Sequence, residues 1–251
     1  SGTVTSFTNS SRIVAGHVDD DTSDDITEGA GLNLGLDFAA NTSGVTLTQN
    51  DTVDNARIFG DVRFGSGSDI FNLQSGEVSG DIGFGAGSDT LNVSSAKLFG
   101  DTAFQGGAAV INLSNAAEVE GALALGTAAA QLNLSSGAVY EGDVTRGSGG
   151  SLDITVNNAT FNNSATASLA VDSMTLSSGA DIGVVVTNER ITNGAPVFDV
   201  SGTASVSADT TFTPVFNQVN RNPFTLRVIE AGTLDLGGAA ESMIGGESPF
   251  L

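Results

Sequence analysis

Apolar and polar residues alternate in short bursts along the middle of this chain. Phe71-Asn72-Leu73, Leu91-Asn92-Val93, Ile111-Asn112-Leu113, Leu132-Asn133-Leu134 and Leu152-Asp153-Ile154 each set two apolar side chains against one polar one. That period of two is the signature of a half-buried strand. Between the bursts, Gly60-Asp61, Gly80-Asp81, Gly100-Asp101, Gly121-Ala122 and Gly142-Asp143 mark the same point in successive units about twenty residues long. Within residues 64–83, Gly65 to Asp69 reads as a turn, Phe71 and Leu73 point one way with Asn72 opposite, and Gly76 and Gly80 permit further bends. Each unit therefore predicts two or three short strands separated by glycine corners. A unit this short cannot bury an apolar face alone, so it must stack on its neighbours. The expected fold is all-β, a parallel β-helix with one unit per coil. A helical reading fails because apolar residues do not recur at three-and-four spacing and glycine is too frequent.

The flanks are less regular. Residues 1–30 are polar, with Asp19, Asp20, Asp21, Asp24, Asp25 and Glu28 in one stretch, and read as an irregular, solvated segment. From residue 31, Leu32, Leu34, Leu36 and Phe38 alternate with small or polar residues, so 31–189 is taken as the coil array. Past residue 190 the chemistry changes: Pro196, Pro214 and Pro223 appear beside longer apolar runs such as Phe224 to Ile229. Proline sits at sheet edges, and 190–251 reads as a β-rich cap that closes the stack.

The 251 residues carry a formal charge of −21 with only eight Lys and Arg. That balance excludes nucleic-acid binding, which relies on basic residues to neutralise phosphate, and argues against anionic lipid surfaces. It favours cations and cationic partners. Cysteine is absent, which excludes disulfides and thiolate metal sites. No apolar run reaches the ~20 residues of a membrane helix. The N-terminus lacks a signal-peptide profile, so an exported chain is expected to have lost its signal, with Ser1-Gly2 read as a cleavage scar.

Four sets of residues could carry chemistry. Gly65 to Phe71 and Gly85 to Leu91 resemble the calcium-binding nonapeptide in which turn carbonyls and Asp oxygens hold a hard cation. The fit is partial, because the second half of each unit differs and the third copy, Gln105 to Ala109, has lost its aspartate. Plain turn chemistry is the preferred reading, with calcium at Asp69 and Asp89 left open. The column Asn72, Asn92, Asn112, Asn133, finished by Asp153, reads as an amide ladder rather than a carbohydrate-binding row. Phe59, Phe64, Phe71, Phe84, Phe99 and Phe104 are assigned to the coil interior, with Phe59/Phe99 and Phe64/Phe84/Phe104 in register. Asp61, Asp81 and Asp101 recur in step with the repeat, as turn residues do, and the sole histidine, His17, lies in the irregular segment. No catalytic, cofactor or metal site is expected, and the chain is read as no enzyme.

The units at 60–69 and 80–89, each followed by an apolar-Asn-apolar burst, resemble the passenger rungs of bacterial autotransporters. Asn222 to Leu234 resembles the autochaperone segment that ends such passengers, and Ser248-Pro249-Phe250-Leu251 the stretch before the translocator. The resemblance implies a right-handed parallel β-helix exported through its own outer-membrane translocator barrel and displayed on, or released from, a Gram-negative cell. It further implies a stalk acting in adhesion or aggregation, with host or neighbouring-cell proteins or glycans as partners, self-association left open, and a cap that promotes folding. The alternatives are a surface polysaccharide hydrolase or lyase on the same scaffold, and a calcium-loaded β-roll.

Overall fold

The computed structural model describes residues 4–15, 17–18, 26–27, 34–51, 56–216, 224–237 and 245–246. The chain is a parallel β-helix. Each regular coil contributes one strand to each of three sheets. In one coil these are Ile70–Leu73, Glu77–Ser79 and Ile82–Phe84, after which the chain returns to Asp89–Ser94 directly above Ile70–Leu73. We name the sheets A, B and C in that order. Sheet A runs Ser6–Asn9, Thr46–Gln49, Ile70–Leu73, Asp89–Ser94, Ala109–Ser114, Ala130–Ser135, Leu152–Asn157, Ser173–Ser177, Phe198–Val206. Sheet B runs from Arg12–Val14 to Thr211–Phe216, and sheet C from Leu34–Asp37 to Val144–Arg146.

The strands of the regular coils alternate, and the inward positions line up into columns. On sheet A, Leu47, Phe71, Leu91, Ile111, Leu132, Ile154 and Met174 stack in register, all at 2% exposure or less. In sheet C the rings of Phe38, Phe64, Phe84 and Phe104 form one pile, with centroids 5.7, 4.8 and 4.5 Å apart. This is the shared core that one coil alone could not make.

The corners explain the Gly-Asp mark. Gly60, Gly80, Gly100, Gly121 and Gly142 turn the chain from sheet B to sheet C at φ between 135° and 159°, a conformation that favours glycine. They also stack on one another: a Cβ on Gly100 would stand 2.3 Å from the Gly80 carbonyl oxygen, and one on Gly121 2.1 Å from that of Gly100. The following aspartate ties the coils together. The backbone N–H of Asp81 donates to Oδ1 of Asp61 at 2.9 Å, that of Asp101 to Asp81 at 2.8 Å, and that of Ala122 to Asp101 at 2.8 Å.

Both ends differ from the sequence reading. Ser6–Asn9 and Arg12–Val14, inside the stretch read as irregular, are the first strands of sheets A and B, in parallel register with Thr46–Gln49 and Arg57–Phe59. Their few apolar residues hide the period, and the inward Asn9 is accommodated because its amide donates to the Gln49 side chain. The acidic run itself lies outside the described residues. At the other end the coils continue beyond residue 190: Asp181–Val186 pairs with Thr211–Phe216, and Phe198–Val206 pairs with both Ser173–Ser177 and Ile229–Asp235. What changes there is coil length. Thr211 stacks on Asp181, thirty residues earlier, and helix α1 (Asn188–Asn193), the one helix among the described residues, takes up the excess.

Candidate functional site

The polar residues that repeat are consumed in holding coil to coil. On the outer face of sheet A, the Asn92 amide donates to Oδ1 of Asn72, Asn112 to Asn92, and Asn133 to Asn112, at 2.8, 2.8 and 3.0 Å. The ladder is as expected from the sequence, but its last member is not. Thr155, not Asp153, stands above Asn133; Asp153 stands above Gln131 and accepts from the Ser173 hydroxyl. The turn between Arg146 and Leu152, built around Gly147 and Gly150, is one residue longer than the turn beneath it. Leu152 therefore stacks twenty-two residues above Ala130, where Arg146 stacks twenty-one above Leu125. Asp153 lies twenty residues past Asn133 in a coil that spans twenty-two, so it falls one outward position short of the amide column and stays on the outer face.

Asp69 and Asp89 are buried, at 0% and 2% exposure, on the inward side of the turn into sheet A. Val45 lies below them in the column, and Ala109, Ala130 and Leu152 above. Oδ1 of Asp69 accepts from the Val45 N–H at 2.7 Å, and Oδ1 of Asp89 from the Asp69 N–H at 2.8 Å. Oδ2 of Asp69 has no partner among the described residues. Burial raises both carboxyls, against the pull of the backbone donors; Asp89, which also faces the Asp69 charge, is pushed up to about 6. Both carboxylates thus serve the corner as acceptors that tie one coil to the next. Among the described residues no group of three or more His, Asp or Glu side chains is placed to hold a metal ion.

The phenylalanines divide. Phe64, Phe71, Phe84 and Phe104 are core residues at 4% exposure or less. Phe59 and Phe99 are not: they lie half-buried on the outer face of sheet B, because Ile58 and Leu98 beside them take the inward positions. Each ring carries a cation, Arg12 over Phe59 at 5.1 Å and Lys97 over Phe99 at 5.9 Å. His17 falls in a two-residue strand antiparallel to Ile26–Thr27.

The outer face of sheet B is where charge gathers, and repeat counting alone did not reveal it. One outward column reads Arg12, Arg57, Glu77, Lys97, Glu118, Val139, Thr160, Asp181. The neighbouring column reads Val14, Phe59, Ser79, Phe99, Glu120, Glu141, Asn162, Gly183. Arg57 pairs with Glu77 at 3.4 Å and Lys97 with Glu118 at 2.5 Å, both partly exposed, a setting in which a pair contributes about 0–1 kcal/mol. A shallow groove of about 180 Å³ runs beside this column over Gly76, Ser95, Ala96 and Ala116. Comparison of the chain with protein-family models, curated proteins and solved structures returns no match.

Proposed function

We propose that this chain is a non-catalytic β-helical module of the autotransporter passenger type. In this reading it is carried through its own translocator barrel, and its outer faces are presented for adhesion or aggregation at the surface of a Gram-negative cell. The observation that carries the reading is the employment of the repeated polar residues. The Asn72–Asn133 ladder and the Asp61–Asp101 ladder spend their hydrogen-bonding groups on the adjacent coil. An assembly built this way offers length and a rigid repeating surface. The carboxylates that a polysaccharide-cleaving site would draw on, Asp61, Asp81 and Asp101, are the same ones engaged by backbone N–H groups.

The C-terminal strands fit a folding role in this scheme. Thr211–Phe216 is the last strand of sheet B and presents Val215 to solvent, while Ile229–Asp235 lies against Phe198–Val206 and presents Leu234. An ordered edge of that kind lowers the nucleation cost of the coil that docks on it.

The test is display. Beads coated with the full chain are expected to bind cells, or one another, while the soluble chain leaves a panel of polysaccharides intact. Beads that bind nothing, together with cleavage of any panel member, overturn the reading in favour of a surface hydrolase or lyase.

A further inference from the structure

Sheet B changes sign along its length. Its first four coils place Arg12, Arg57 and Lys97 outward with the rings of Phe59 and Phe99 and a single acid, Glu77, and every charge on the next four is negative. Arg12 is the least settled of these groups. Its neighbour in register is Arg57, a like charge that disfavours the pairing, and its guanidinium rests on Phe59 with no carboxylate among the described residues. An acid supplied from outside would relieve that repulsion.

A face that is basic at one end and acidic at the other complements itself when inverted. Consider a second copy turned end for end about a two-fold axis that lies along the strands between Lys97 and Glu118. The first coil of each copy then meets the eighth of the other, and the fourth meets the fifth. Arg12 faces Asp181 of the second copy and Lys97 faces Glu118 of the second copy, each pair occurring twice by symmetry. Sliding the copies by one coil in either direction sets Glu118 against Glu77 or against Glu118 of the second copy. A slide of two coils would match Arg57 with Glu118 and Glu77 with Lys97, but it shortens the overlap from eight coils to six and leaves Arg12 opposite Val139, so charge and length together favour the first register. We propose that the outer face of sheet B pairs two copies of this chain, antiparallel, in that register.

The inference rests on the surface-contact reading and names its partner. A face three residues wide and eight coils long covers about 10 by 38 Å. That is roughly half of the ~800 Å² per partner found in stable complexes. The contact is accordingly weak for one pair, and gains strength where many copies share a surface.

Sedimentation of the full chain at increasing concentration tests it, with Lys97→Glu and Glu118→Lys as variants and circular dichroism as a folding control. Wild type is expected to dimerise, and each variant alone to lose association by about tenfold or more. An equimolar mixture of the two variants is expected to recover a heterodimer. The two reversed charges then face each other at one of the symmetric positions, and the native Lys97 and Glu118 meet at the other. Dimerisation that survives either reversal, or variants that fail to recover on mixing, overturns the proposal. So does a wild-type chain that stays monomeric, whether it remains free or is captured by a resin bearing an anionic polysaccharide, which would make the basic half a polyanion site. Cell binding retained by a monomeric wild-type chain sinks the self-docking alone and leaves the surface-module reading standing.

Discussion

The coils between Ile70 and Ser135 and those after Leu169 share the same parallel pairing but are secured in opposite ways. In the first region identical residues recur: glycine on glycine at the corner, aspartate on backbone N–H, amide on amide, ring on ring. In the second, single residues do the holding. The Arg190 guanidinium, buried at 2% exposure, donates to the carbonyls of Val185, Ala165 and Ala167 at 2.6, 3.0 and 2.8 Å, clamping helix α1 and its longer coil to the corner below. Arg146 and Asp172 form a second tie, Asp172 also accepting from the Leu152 N–H. Repetition spreads the load over many weak, equivalent contacts. Where the repeat lengthens, a few strong and irreplaceable ones take over.

The contrast can be broken most sharply at the glycine column. Gly100→Ala puts a methyl group 2.3 Å from the Gly80 carbonyl oxygen at a φ of 143°. The atoms it meets are all backbone, of Gly80 and Asp81 in the coil below, and cannot swing aside as a side chain could, so a loss of about 4 kcal/mol or more in chemical denaturation is expected. Arg190→Met strips three carbonyls of their donor and should cost about 2–4 kcal/mol. Limited proteolysis should then cut first near residues 187–197, with the coils between Ile70 and Ser135 still protected.

The buried carboxylates sharpen the comparison inside the regular region. Asp89 in the folded chain holds its proton up to about pH 6, above the unfolded value near 3.9. Its contribution to stability is therefore fully present below about pH 4 and is lost as pH rises through 6. Asp89→Asn keeps an acceptor for the Asp69 N–H and removes the charge. It should raise stability at pH 7 by about 1–2 kcal/mol. The difference between variant and wild type should shrink toward zero on acidification to pH 4, which thermal melts across that range would measure. The smallest expected effect is that of Asn112→Ala, which opens the ladder in the middle at about 1 kcal/mol. Its neighbours are half-buried, so water replaces part of the loss.

The periodic part of this architecture was readable from the chain because equal phase in the repeat means equal place in a column. Asn72, Asn92, Asn112 and Asn133, the stacked core rings and the Gly-Asp corners all follow from counting. Counting failed where phase shifts or parity is ambiguous. The coil between Asn133 and its partner Thr155 spans twenty-two residues rather than twenty, which leaves Asp153 one outward position short of the amide column. Phe59 and Phe99 sit beside Ile58 and Leu98, two apolar neighbours in a three-residue strand, so alternation alone leaves the inward one undecided. Ser79, polar and at the same phase as both, was the signal that this column faces water. The charged gradient on sheet B becomes visible only once register joins Arg12 to Arg57 across forty-five residues. Arg190 occurs once, in an insertion, and no pattern announces it.

The central claim is that successive units superpose along one axis at a constant rise, whatever their length. Spin labels at Arg12 paired in turn with Glu118, Thr160 and Asp181, all outward in one column, measure that rise by pulsed dipolar spectroscopy. Four, six and seven coils at ~4.8 Å each predict Cα separations of about 19, 29 and 34 Å, read as narrow distributions in spin-diluted samples. Separations that fail to grow in proportion to coil number, or that spread broadly, would contradict the stack and everything built on its faces.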